Sequence, residues 1–376
     1  MQKTMADALG NLAGLKGAIA CSGLDAILIA TPENVCYAGD LYIPTQRNIR
    51  HRPAYVVWPA SAEPVYVIAE SEQGRVRSGS WIRRTHHYRE FETTPMQAVA
   101  EVLAENGLAK GRIGCELDFL PSAYARDLQQ RLPQMHVQPC DALLMHIRMI
   151  KTTRELAVLS HAARATAKAI LATFATARAG EDERSLMRRL STHILQSGAE
   201  RVPFVHIYGG ANAAGPHMGP TDRALREGDL VKADAGGSFA SYLSNIGRTA
   251  VVGRPGAELA KVWASLSGIH ASAMDMLRPG ITGREVYAAV SERYRNAGFE
   301  LRHSNNGHGI GLEVHERPII GPWEDVPYAP GMVTTVETRL KLSPAESLHL
   351  EDLVLITGEG AEPVTTAFAH DQLLVI

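Results

Sequence analysis

The chain lacks any cysteine pairing motif. Its four cysteines, Cys21, Cys36, Cys115 and Cys140, are scattered, with no C-x-x-C pair. In a chain of 376 residues this points to reduced core or surface thiols and away from a disulfide framework. No apolar run approaches the roughly 20 residues needed to span a bilayer. The opening Met1–Asp7 leads into an amphipathic stretch without the apolar region and small-residue cleavage site of a signal peptide. A cytoplasmic protein is expected. Charge of one sign is also missing. The net charge of −2 gives no basic field to draw nucleic acid or anionic membrane, so neither is expected as a partner. There is no low-complexity tract and no short-period repeat. Neither G-x-x-x-x-G-K-[ST] nor G-x-G-x-x-G occurs, which argues against nucleotide binding.

What remains is the composition of an ordinary globular chain, 45 % hydrophobic and 21 % charged, long enough for two domains and a large core. In the first half, residues 5–22 read as an amphipathic helix ended by Gly23. Short apolar runs at 26–30, 54–58, 64–68 and 113–116 read as strands, alternating with helices at 96–105 and 122–132. That alternation implies a small α/β domain. It holds no catalytic constellation, but the loop 45–53 carries Arg47, Arg50, His51 and Arg52. This is either a solvated surface loop or a basic arm over a neighbouring active site. A helix capped by Thr153 opens the second half. The boundary is placed at 147/148, giving domains 1–147 and 148–376 and an α/β (α+β) chain.

The second half carries the chemistry. A glycine-rich loop after a strand at 202–208 presents His217. A strand over 229–237 ends on Asp234 and two glycines. The returning strand carries Asn245, so a tight glycine turn would put both residues on one face of a hairpin. The run Asn305–Glu316 sets His308 between glycines, with His315 seven positions on. A strand at 332–337 ends on Glu337, and one at 348–356 contains Glu351 and Asp352. Singly, each is an ordinary turn acid or core histidine. As an ordered set, they resemble a carboxylate-and-imidazole metal site.

Six ordered stretches carry a family resemblance: Asp234-Ala235-Gly236, Tyr242–Thr249, Gly307–Gly311, His315-Glu316, Gly331–Glu337 and Leu350-Glu351-Asp352. The chain resembles the pita-bread family of aminopeptidase P, prolidase and creatinase over nearly its whole length. The resemblance implies a creatinase-type amino-terminal domain followed by a pita-bread catalytic domain. It implies divalent metal (Mn, Co, Fe or Zn) at Asp234, Asn245, His308, Glu337 and Glu351, with His217 and His315 as catalytic histidines. It also implies a homodimer in which Arg47, Arg50 or His51 reaches the other subunit's site.

Asn245 departs from that pattern, standing where the family has an aspartate that bridges two cations. Asparagine is neutral, and its NH₂ points a donor where a carboxylate would offer an acceptor. Loss even of an outer partner costs about 10–100-fold in metal affinity, so one ion or none is expected. After Glu337 the family often has Pro-Gly, but here Arg339 and Lys341 bring cations to the rim. Arg339 is then an anchor for a substrate carboxylate or a solvated charge. Three readings follow. The favoured one is metal-assisted hydrolysis of a C–N bond in a small amide or imide, such as an Xaa-Pro dipeptide. The second is metal-independent hydrolysis of a small nitrogen compound, as in creatinase or ectoine hydrolase, with His217 as general base and the acids gripping a cationic group. The third is a non-catalytic binding member, against which the retained histidines and acids argue.

Overall fold

The structure is a computed structural model that describes residues 3–215, 218–365 and 372–376. The chain divides into two compact units, Met1–Arg148 and Met149–Ile376. No described helix is long and apolar enough to cross a membrane.

The first unit is built on strands β1 (Ala26–Ile29), β2 (Tyr55–Pro59), β3 (Val65–Ala69), β4 (Arg84–Tyr88), β5 (Arg112–Cys115) and β6 (His136–Pro139). They form one mixed sheet in the order β4-β3-β2-β1-β5-β6. Leu28, Val57, Val67 and Ile113 are fully buried, packed with Val99 and Leu103 of the helix Pro95–Glu105. Residues 5–22 are not one helix. A 3₁₀ turn, Met5–Asp7, is followed by a helix at Leu12–Cys21, because the side chain of Asn11 accepts from Gly14 N and starts the helix afresh. Another helix, Pro32–Gly39, follows β1, with Thr31 capping it and Pro32 in its first turn.

In the second unit the long helix Thr153–Thr176 is capped by Thr152, not Thr153. Thr152 and Glu155 form a reciprocal capping box. Among the described residues the sheet has ten strands, β7 (Arg201–Gly209), β8 (Leu230–Phe239), β9 (Tyr242–Leu243), β10 (Ile246–Val251), β11 (His308–Gly309), β12 (Glu316–Ile319), β13 (Val333–Ser343), β14 (Glu346–Ile356), β15 (Ala361–Pro363) and β16 (Leu374–Val375). The main order is β12-β11-β13-β14-β10-β8-β7. Side chains alternate across these strands with period two. Val336, Leu340, Leu348, Leu350, Val354 and Ile356 pack against Trp263, Leu266 and Ile269 of the helix Ala257–Met276 and Val286 and Val290 of the helix Gly283–Asn296. The intervening positions Glu337, Arg339, His349 and Glu351 therefore share the opposite face.

Two expected strand ends are not ends. β8 runs through Asp234 and both glycines to Phe239, and β13 runs six residues beyond Glu337. Gly236 allows a close approach where a stop was expected, since a Cβ there would lie 2.1 Å from the Ser244 carbonyl oxygen. The β8–β9 turn is made by Ala240 and Ser241, both at positive φ (45° and 72°), and not by glycine.

Candidate active site

Five residues from five adjacent strands fall on one transverse row. His206 pairs with Asp234, Asp234 with Gly247, Gly247 with Glu351, and Glu351 with Glu337. Arg339 and His349 face each other one step along β13 and β14. Neighbouring strands are about 4.8 Å apart, so Asp234 and Glu351 lie two strands apart with a glycine between them. That glycine makes the site. A Cβ on Gly247 would sit 2.5 Å from the His349 ring. With none there, the ring fills the gap between the two acids. His308 enters from β11 on the far side of β13.

A cavity of about 350 Å³ opens on this face. It is lined by Asp234, Asn245, His308, His315, Glu337 and Arg339, together with Phe204, His206, Asn305 and Val314. Asn245 lies in the break between β9 and β10, and its Nδ2 donates to Oε2 of Glu351. Its amide thus spends one of that carboxylate's two oxygens. His308 donates from Nδ1 to the Gly309 carbonyl at 3.0 Å. This fixes the tautomer, so its Nε2 offers a lone pair 3.4 Å from Glu351 Oε1. Burial keeps the His308 imidazole below its usual pKa, hence neutral. The exposed ring of His315 lies over it, with centroids 3.9 Å apart. The loop that carries His315 is held by Glu316, which accepts from Leu312 N and Glu313 N and pairs with the buried Lys151 at 3.1 Å.

The electrostatics call for a cation. Burial pushes the Asp234 carboxyl up to about 7, with Glu351 and Glu337 adding to it. Burial, and then the charge of Glu337, push Glu351 up as well. Burial works against Glu337 too, but His349 at 2.9 Å and Arg339 at 3.1 Å outweigh it and hold that carboxylate well below the usual range. Asp234 Oδ1 and Glu351 Oε1 are buried without a hydrogen-bond partner. Buried acceptors of this kind, facing a neutral imidazole, are the donor set of a divalent cation.

Among the expected site residues, Asp234, Asn245, His308, Glu337 and Glu351 converge, with His315 and Arg339 at the cavity. His217 lies outside the described residues. Arg47, Arg50 and His51 belong to the first unit. There Arg47, in the short helix Pro44–Asn48, pairs with Glu33, while the His51 ring lies 5.5 Å from that of Phe91. Arg50 is exposed. The Asp352 side chain does not cap a turn; it is buried within β14. His349 and His206 are site residues that the motif pattern did not single out. The signal for His349 was its place two residues before Glu351 on one strand, which puts both on the same face.

The model of metallopeptidase family M24 matches residues 157–358, and that of the creatinase/prolidase N-terminal domain matches residues 12–150. The Xaa-Pro dipeptidase of Lactobacillus delbrueckii subsp. lactis is 25 % identical over 359 residues, covering 94 % of this chain and 96 % of the relative. The Xaa-Pro dipeptidase of Pyrococcus horikoshii is 28 % identical over 248 residues, covering 65 % of this chain and 71 % of the relative. The crystal structure of dipeptidase PepE from Mycobacterium ulcerans superposes with a TM-score of 0.85 at 28 % identity, covering 97 % of this chain and 96 % of that one.

Proposed function

The chain belongs to metallopeptidase family M24, and on that premise we propose that it hydrolyses the C–N bond of a dipeptide, with Xaa-Pro dipeptides as the substrate class. The pair of buried, partnerless carboxylate oxygens beside the neutral His308 is the observation that carries this reading. Asp234, His308, Glu337 and Glu351 would hold a divalent cation. When bound, it supplies a polarised water and a Lewis acid for the scissile carbonyl.

The remaining steps rest on the chain's own side chains. His315, exposed over His308, is placed to move a proton at the cavity mouth. Arg339 lines the same cavity and offers its guanidinium to the substrate carboxylate. The 350 Å³ cavity suits a dipeptide and not a folded chain. His217 fits the second catalytic histidine by its place in the sequence. Before and after it in the chain, the Glu183 carboxylate accepts from Gly209 N, Asn212 Nδ2 and Thr221 N. A cytoplasmic homodimer, with Arg47, Arg50 or His51 completing the partner's site, belongs to the same proposal. Full activity of a monomer, shown by light scattering with assay, would remove that part.

One observation favours a second reading. The Asn245 amide on Glu351 lowers the demand for a second cation, so the acids could instead grip a cationic group of the substrate without metal. Release of free proline from Xaa-Pro dipeptides, assayed before and after chelation and after Mn²⁺ or Co²⁺ is restored, separates the two. Activity is expected to vanish with chelator and return with metal. Turnover that survives exhaustive chelation overturns the metal-assisted reading.

A further inference from the structure

His349, on β14 beside the acids of the site, is an imidazole that the motif pattern left without a role. It is buried. Its backbone is clamped on both sides by one hydroxyl: Thr249 Oγ1 donates to the His349 carbonyl and accepts from its N–H, both at 2.9 Å. Its ring lies on Gly247, where no other residue type leaves room for it. Position and orientation are thus set by the sheet itself. The Nε2 atom is 2.9 Å from Glu337 Oε1 and 3.8 Å from Glu351 Oε2, yet it makes no hydrogen bond.

Two independent observations meet at this residue. Asp234, His349 and Glu351 each offer a ligand atom, all within 4.8 Å of one another. In these same three residues, Asp234 Oδ1, His349 Nε2 and Glu351 Oε1 are buried polar atoms without a hydrogen-bond partner. Leaving such atoms unpaired in a buried site is costly. One ion among them would satisfy all three. Two carboxylates balance the charge of one divalent cation, and the imidazole adds a nitrogen donor beside them. The set is the mixed N/O type that zinc and cobalt accept.

We propose that His349 joins Asp234 and Glu351 among the ligands of a single divalent cation, supplying the ligand that Asn245 does not. This deepens the metal-assisted reading above and rests on it. The arrangement accounts for the neutral residue at 245. A bridging carboxylate is needed between two ions. With His349 filling the gap above Gly247, the space would serve one ion, and Asn245 is free to donate to Glu351 Oε2 while Oε1 stays unpaired.

The test is a titration of metal-depleted protein with Co²⁺, read by visible absorption and by metal analysis, so that it does not depend on turnover. The wild type is expected to take up one ion per chain. His349→Ala is expected to weaken binding by more than about 100-fold, since loss of an outer partner alone costs about 10–100-fold. His349→Phe keeps a ring packed on Gly247 while removing Nε2, and should show the same loss with unchanged circular dichroism. Two ions per wild-type chain, or unchanged affinity in His349→Phe, would overturn the assignment while leaving metal-assisted hydrolysis standing. No Co²⁺ uptake by the wild type would remove both.

Discussion

Replacing Asp352 by asparagine should destabilise the second unit more than any change on its surface. Asp352 sits on β14 beside Glu351, on the helix side of the sheet. Its Oδ1 pairs with Arg248 Nη2 at 2.6 Å and accepts from Thr365, and its Oδ2 takes His270 Nε2 at 3.0 Å. The other nitrogen of His270 meets Thr338 Oγ1 at 3.0 Å. Arg248 and Asp352 are 2 % and 0 % exposed, so water cannot replace either partner. Asparagine keeps the shape, removes the charge and leaves a buried guanidinium uncompensated. Breaking a buried pair from one side costs about 3–5 kcal/mol. In a unit of this size each kcal/mol moves Tm by about 2–4 °C, so the expected loss is about 6–20 °C. Near-UV circular dichroism melts of metal-depleted wild type and variant measure it, with chelator present so that metal linkage does not enter. Adding Arg248→Met should recover much of the loss, because a buried pair replaced on both sides by packed neutral groups is often neutral. A Tm shift under about 2 °C for Asp352→Asn would show that the guanidinium finds other partners, and would refute the reasoning.

Other expectations follow from single features. Asn245→Asp puts a further carboxylate beside Glu351 and should raise the metal content of protein purified without chelator; unchanged content would count against this residue lying next to the ion. In metal-depleted protein, burial raises Asp234 from 3.8 to about 7. A raised carboxyl favours the fold fully below its unfolded pKa, and that contribution is lost as pH rises through the folded one. The Tm of wild type relative to Asp234→Asn should therefore fall between about pH 4 and pH 7, and a flat difference would sink the argument. Glu183→Ala orphans backbone and side-chain donors at both ends of the 209–221 segment. It should lower kcat while the fold persists, and unchanged kcat with Xaa-Pro substrate would detach that loop from catalysis. Of the four cysteines only Cys21 is exposed, and burial raises the Cys115 thiol to about 12. A thiol reagent should thus label one site in native protein and four after denaturation, whereas rapid labelling of more than one would contradict the packing.

The two-unit architecture and the acids at 234, 337 and 351 were legible because glycine-flanked motifs mark places where backbone and ligand approach closely. Strand length was not. Asp234 and Glu337 read as strand ends, because glycines after one and polar residues after the other resemble turn signals. In the fold, Gly236 is small to admit the Ser244 carbonyl, and Thr338, Arg339 and Leu340 continue the ladder opposite β14. His349 was hidden for a different reason. A single histidine in an apolar strand carries no spacing signal until the face of Glu351 is known. Only the period-two alternation with Leu348 and Leu350, buried against the helices, reveals which side it occupies. The break at Ser244-Asn245 was also invisible, since it depends on the Ser244 hydroxyl meeting Thr166 Oγ1 and the amide of Gly237.

The transverse row from His206 to Glu337 ties catalysis to strand register. In a ladder, a slip of one residue turns every side chain of that strand to the opposite face. A misregistered β14 would carry Glu351 and His349 into the helix layer and bring Asp352 into the cavity. Such a molecule would not be a poor enzyme; it would have no centre at all. A refolded preparation should therefore be a mixture of fully competent and wholly inert chains, and its specific activity would count correctly folded sheets.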